Sequence, residues 1–228
     1  MNGSEIDMER ISIKHLTYGY ENQPRLFNNV NIEIDQNSIV RLYGKNGSGK
    51  TTLLKIIANI IDDPHLSYEL RFFGEKLSFA DIRKRRVFVG DSPVFYEELT
   101  MEQNIQFYNL LFHYGPVFSK QVYEYCKKFD VDAYKNEQVK NLSLGTRQKI
   151  FLSINLSIPS ELVLLDEPFN SLDTSSRKVL SDIITQSKQK TFVIVSHEKE
   201  ASLSFTHELN SENWQLKSLN NTDGGVRE

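Results

Sequence analysis

The apolar positions along the chain change rhythm three times. Residues 11–20, ISIKHLTYGY, and 28–34, NNVNIEI, alternate apolar with polar side chains or carry β-branched ones, which predicts two opening strands. SIVRLY at 38–43 predicts a third. The spacing then turns helical: Leu53, Leu54, Ile57, Ile60 and Ile61 share one face of an amphipathic helix that Asp62-Asp63-Pro64 would end. YELRFFG at 68–74 predicts a further strand closed by Gly74. From about residue 94 to 158 the pattern is helical and aromatic, in the stretches MEQNIQFYNLLFHY, SKQVYEYCKKF and GTRQKIFLSINLSI. Short unbroken apolar runs return at LVLL (162–165) and TFVIV (191–195), with a helical stretch between them. Such runs suit strands buried on both faces of a parallel sheet. The pattern predicts one α/β unit: a framework from about 10 to 93 and 159 to 215, and a helical block at about 94–158 set into it. A polar tail from about 216 to 228 is expected to fray.

Composition narrows the class. A chain of 228 residues, 39% hydrophobic and 25% charged, is long enough to bury a sizeable core and reads as folded. A net charge of −3 argues against a general nucleic-acid binder, which carries a positive excess. The lone Cys126 cannot form an internal disulfide or a cysteine zinc site, which is compatible with a reducing compartment. The first ten residues hold no apolar signal core. No apolar run approaches the ~18–20 residues that span a bilayer, and LLKIIANII is broken by Lys55 and Asn59. Work at a membrane would therefore need another chain to cross it.

The chemistry concentrates in two places. Gly44-Lys-Asn-Gly-Ser-Gly-Lys50-Thr51 follows a predicted strand, opens a predicted helix and fits G-x-x-x-x-G-K-[ST]. Glycines let backbone N–H groups close around phosphates, and the helix N-terminus adds partial positive charge. Lys50 would reach the outer phosphates and Thr51 would offer its hydroxyl to Mg²⁺. Gly44, Asn46, Gly47, Ser48, Gly49, Lys50, Thr51 and Thr52 are the candidate nucleotide-binding residues. The second place is LVLLDEP, 162–168, where a buried strand would deliver Asp166 to Mg²⁺ and Glu167 to an attacking water at its carboxyl end. Together the two motifs point to an NTPase.

NLSLGTRQK at 141–149 narrows the kind. Shortly before the acidic strand, it resembles the LSGGQ signature of ABC-type ATPases: Ser143 and Gly145 match, Leu144 and Thr146 depart, and the LSLG variant looks like exporter-type members. Leu172 and Asp173 in NSLD resemble the loop linking the two active sites of that family, and His197 after TFVIVS resembles its switch histidine. Tyr20 resembles the aromatic that stacks on adenine, with Tyr18 close by as a second choice. Where the family has a glutamine at the join to the helical lobe, VFVGDSPVFYEELT places Asp91, an oxygen ligand for Mg²⁺ or a simple turn cap.

The resemblance covers about residues 10–200. It implies a P-loop NTPase core with a parallel sheet, an N-terminal antiparallel β portion and an inserted helical subdomain. It further implies ATP and Mg²⁺ as cofactors and a second ATPase subunit, identical or paralogous. Integral membrane permease subunits would hold the chain peripherally on the cytoplasmic face of the membrane. Phe95 and Tyr96 are candidates for the permease contact, against plain core packing. A soluble ABC ATPase in cofactor assembly or nucleic-acid work is the alternative. The run RKRR at 83–86 could serve it, although four charges more often form a solvated edge. A GTPase or small-molecule kinase would leave NLSLGTRQK and NSLD unexplained.

Overall fold

A computed structural model describes residues 10–219. The two opening strands, β1 (Arg10–Tyr18) and β2 (Phe27–Asp35), pair antiparallel, and β4 (Ser67–Arg71) pairs antiparallel with the other edge of β1. The second sheet has six strands in the order β5-β6-β7-β3-β8-β9. They are β5 (Arg86–Val89), β6 (Leu162–Asp166), β7 (Thr191–Val195), β3 (Ile39–Tyr43), β8 (His207–Asn210) and β9 (Gln215–Ser218). All neighbours run parallel except β8 and β9. Every residue of β6 and β7 is buried.

Period-two alternation explains that burial. Leu162, Leu164, Val193 and Val195 pack with α1 (Lys50–Ile57) and the β1–β2 side, whereas Val163, Leu165, Phe192 and Ile194 pack with the helical block. One sheet thus separates two apolar cores. The carboxyl ends of β3, β6 and β7 come together at one edge, where ligands of open α/β sheets bind.

The helical block comprises α3 (Met101–Phe112), α4 (Pro116–Lys128) and α5 (Leu144–Leu156), with short 3₁₀ turns at Asp132–Tyr134 and Val139–Asn141. Thr100 and Gln103 form a reciprocal capping box at the start of α3. His113 at φ 54° and Gly115 at φ 80° then break the pattern, and Pro116 opens α4. The helical stretch between β6 and β7 is α6 (Thr174–Gln186).

The helix after the glycine loop ends at Ile57, not at Asp62. Asn59 takes φ 49°, its N–H donates to Ile56 O, and the Ile60 N–H donates to Lys55 O, which is a Schellman termination. Ile60 is consequently outside the helix and exposed, while Ile61 is half-buried against the core. The strand predicted at 68–74 stops at Arg71, because Phe73 (φ 48°) and Gly74 (φ 79°) turn the chain. RKRR is no simple solvated edge: Arg85 closes α2 (Phe79–Arg85), makes a two-armed ion pair with Glu161 at 2.6 and 2.7 Å, and lies over Phe72. Arg86 opens β5, a strand the pattern did not announce. Residues 216–218 of the expected frayed tail belong to β9; 220–228, like the N-terminal residues 1–9, lie outside the described residues.

Candidate active site

β3 ends at Tyr43, and the chain turns at once through Gly44, at φ 141°. The turn closes on itself through Lys50, whose Nζ donates to Gly44 O at 2.9 Å and Lys45 O at 2.8 Å. Gly49, at φ 96°, is the N-cap of α1, and its missing side chain leaves Phe27 and Trp214 room to pack beneath. The first turn of α1 has neither a side-chain cap nor an acidic residue. Its N–H groups and partial positive charge are therefore directed at whatever lies before the helix, an arrangement suited to phosphate. Burial lowers the Lys50 pKa, and the nearby Glu167 and Asp166 carboxylates work against that. The acids at the end of β6 thus offset part of what burial does to the ammonium.

A cleft of about 520 Å³ opens beside this helix end, lined by Tyr20, Gln23, Asn46, Lys50, Thr51, Glu167 and His197, among others. Leu26, Gly47, Gly49 and Thr52 complete the wall. Tyr20 reaches Thr52 Oγ1 with its hydroxyl at 3.2 Å and stays 41% exposed. Tyr18 is 2% exposed, bonded to Asp63, and packs edge-on against Tyr20. The structure thereby separates two adjacent tyrosines: one faces the cleft and the other belongs to the core.

The acids behave differently although they are neighbours. Asp166 is 5% exposed; burial raises its pKa, the Thr51 hydroxyl pulls it down, and Glu167 and Asp91 push it up again. Its Oδ1 is buried with no hydrogen-bond partner. The Asp166 carboxylate, with the Thr51 hydroxyl interacting with it, offers hard oxygens of the kind Mg²⁺ takes. Among the described residues no group of three or more His, Cys, Asp or Glu side chains is disposed to hold a metal. A cation here would thus draw most of its shell from phosphates and water. Asp91 follows β5, is exposed, and contributes charge toward Asp166 without lining the cleft.

Glu167 sits at φ 51°, outside β6, with its N–H donating to Val195 O at 3.2 Å. His197 Nε2 donates to Glu167 Oε1 at 2.8 Å, and Asn170 Nδ2 donates to Oε2. Both carboxylate oxygens are therefore held at the cleft wall, an arrangement able to orient a water.

The other candidates lie elsewhere. Ser48 shares a 2.6 Å hydrogen bond with Ser211 behind the loop, and Gly44 is packed against the same Ser211. Ser143 is the N-cap of α5, accepting from Thr146 N–H at 3.1 Å. Asp173 caps α6 and pairs with Lys149 at 2.8 Å, which holds its carboxyl well below the usual range. A side chain on Gly145 would meet Ser171 O at 3.3 Å, so this loop and the one after Glu167 are in contact. Ser143, Gly145 and Asp173 do not line the cleft. Phe95 packs edge-on to Phe151 in the core, while Tyr96 is exposed and rests on Phe107. Sequence reasoning missed Gln23, Leu26, Asn170 and Arg41. Only Arg41, a charge in the middle of a buried strand, carried a signal.

Known proteins resemble this chain in sequence and in fold. The ABC transporter family model matches residues 27–170, from β2 through the loop, the α5 N-terminus and the β6 acids. The Sulfate/thiosulfate import ATP-binding protein CysA of Synechocystis is 31% identical over 185 residues, 79% of this chain and 52% of that protein. The chain spans between 33% and 70% of the length of the curated relatives it matches. A solved ATP-binding subunit of an ABC transporter superposes with a TM-score of 0.80 at 22% identity, covering 92% of this chain and 90% of that one. A dimeric post-hydrolysis state of an ATP-binding cassette bound to ADP and Pi gives 0.78 at 19% identity, covering 92% and 99%. These two likenesses establish the fold as that of the ABC ATP-binding subunits. Because the family match takes in more than half of the chain and runs through both the phosphate loop and the acidic strand, this protein belongs to the ABC transporter family.

Proposed function

We propose that the chain is the ATP-binding and ATP-hydrolysing subunit of an ABC transporter, working as a pair around ATP and driving a separate membrane permease. The observation that carries this is the division of the candidates. Lys50, Thr51, Glu167 and His197 share one cleft, while Ser143 and Gly145 stand outside it at the start of another helix. One chain then offers a cleft and, separately, a second phosphate-binding surface, which a second copy or a paralogue would bring together. The dimeric structure with ADP and Pi is a relative in fold and supports that arrangement.

In this reading Lys50 and the α1 N-terminus offset phosphate charge. Thr51, Asp166 and, at longer reach, Asp91 would hold Mg²⁺, which neutralises charge on the outer phosphates. Tyr20 stacks on the base. Glu167 orients the attacking water, and His197 keeps Glu167 in place and faces the outer phosphate. Loss of that phosphate on hydrolysis weakens the closed pair.

No helix among the described residues is long and apolar enough to cross a membrane. The permease would be a different chain, with this subunit on the cytoplasmic face. Export rests on the LSLG variant, whereas the CysA relative is by its name an import protein. Direction is read from transport by the reconstituted complex. The Glu167→Gln variant with Mg-ATP tests the core of the proposal. Accumulation of a dimer in light scattering, with ATP turnover lost, is expected. A variant that stays monomeric at saturating ATP would overturn the paired mechanism.

A further inference from the structure

Arg41 is a charged residue in the middle of β3, and it is 7% exposed. Its guanidinium is spread over three neighbours. One arm donates to Glu208 Oε1 at 3.1 Å, the other donates to His197 O at 2.7 Å, and the plane lies 4.9 Å from the Tyr43 ring centroid. The strand register explains the reach: Arg41 is opposite Ile194 on β7 and opposite Glu208 on β8. The side chain therefore crosses the end of β7 to the loop that carries His197. Lys199, two residues after His197, pairs with the same Glu208 oxygen at 3.1 Å. Ser196 N–H donates to Leu42 O, continuing the parallel pairing just past the strand.

The geometry points to Arg41 as a positioning residue for His197. It acts through the His197 carbonyl, since its nitrogens reach neither the cleft wall nor Glu167. A buried guanidinium needs its hydrogen bonds and a counter-ion in fixed places, and the planar fork sets the angle between them. Glu208 anchors the fork, and the fork then fixes the His197 carbonyl in a loop that is also tied down on either side, by Ser196 N–H on Leu42 O and by Lys199 on Glu208. With that backbone fixed, the ring Nε2 meets Glu167 Oε1. The link also joins the loop to β3, which runs directly into Gly44. The glycine turn and the His197 loop are therefore both tied to β3. This inference rests on the proposed ATPase reading for its kinetic consequence, but not for its structural one.

Two measurements test it. In ¹⁵N-histidine NMR spectra, with His197 assigned by its absence in His197→Ala, Arg41→Met should move the His197 Nε2 signal toward that of Glu167→Gln, where the acceptor is altered. An unmoved signal overturns the inference whatever the ATPase rate. The second is a double-mutant cycle on ATP turnover under single-turnover conditions. Arg41→Met should lower the rate about tenfold in the wild-type background, and by less than about twofold when His197 is already alanine, with nucleotide affinity changed less than about twofold in both. Equal losses in the two backgrounds would mean that Arg41 only supports the fold. If Arg41→Met does not fold by circular dichroism, Arg41→Lys replaces it, keeping charge opposite Glu208 while losing the second arm. A wild type that hydrolyses no ATP would sink the ATPase reading and leave the NMR result to decide this one.

Discussion

Gly44→Ala measures how far the turn out of β3 depends on its backbone. Gly44 has φ 141°, a conformation L residues rarely adopt, and a Cβ there would overlap Ser211 Oγ and lie 3.3 Å from Ser211 Cβ. Ser211 has little freedom to give way. It is 3% exposed, its N–H donates to Tyr43 O at 2.9 Å, and its hydroxyl is bonded to Ser48. Holding alanine in that backbone conformation costs about 1–3 kcal/mol. Turning the Ser211 hydroxyl aside gives up a hydrogen bond worth about 0.5–1.5 kcal/mol. The sum is a loss of roughly 1.5–4.5 kcal/mol in unfolding free energy. Urea titration should show it as a lower midpoint at unchanged slope. In a Ser211→Gly background the obstruction is gone, so the same substitution should lose only the backbone part, about 1–3 kcal/mol. A loss below about 0.5 kcal/mol in both backgrounds, the range of ordinary surface changes, would mean that neither the backbone nor Ser211 resists a Cβ at this position. A loss that vanishes entirely with Ser211 removed would refute the backbone part.

Two further outcomes are expected. Tyr20→Ala should raise the dissociation constant for a fluorescent ATP analogue by about 5- to 150-fold, the equivalent of about 1–3 kcal/mol for a stacked base, while Tyr18→Phe should leave it unchanged because that ring is in the core; equal effects would reverse the assignment. Asp173 has a folded pKa depressed below its ordinary 3.8, first by Lys149 and then by the Ser175 and Ser176 donors. A depressed carboxylate contributes stability that is present above the unfolded value and lost as pH falls through the folded one. Asp173→Asn should therefore be less stable than wild type at pH 7, with the gap in urea-derived unfolding free energy closing as pH drops below 3.8; a gap independent of pH would show that the charge carries nothing.

How much was legible follows from how local each signal is. LVLL and TFVIV were readable as strands because both faces of β6 and β7 meet apolar cores, so nothing polar interrupts them. β8 was not readable: HELN has a single apolar residue, Leu209, and becomes a strand only because it lies beside β3. The end of α1 turned on Asn59, whose left-handed conformation depends on the turn it completes, while Asp62-Asp63-Pro64 gave a louder but later signal. Within the site, Lys50, Thr51, Asp166 and Glu167 were legible from spacing, whereas Asn170 as a second donor to Glu167 was visible only in coordinates.

The glycine turn after β3, the helix that follows it and the acids after a buried strand could all be read in advance, because each is written in contiguous residues whose backbone demands are local. Which tyrosine faces the cleft, that Ser143 and Gly145 stand apart from Lys50, and that Arg41 reaches the His197 carbonyl emerge only on folding. Those facts depend on strand order and register, which bring Arg41 and His197 together across 156 residues of chain. No short-range pattern encodes such a meeting. It arises when β3, β7 and β8 pair side by side and bury a charge that must then find its partners.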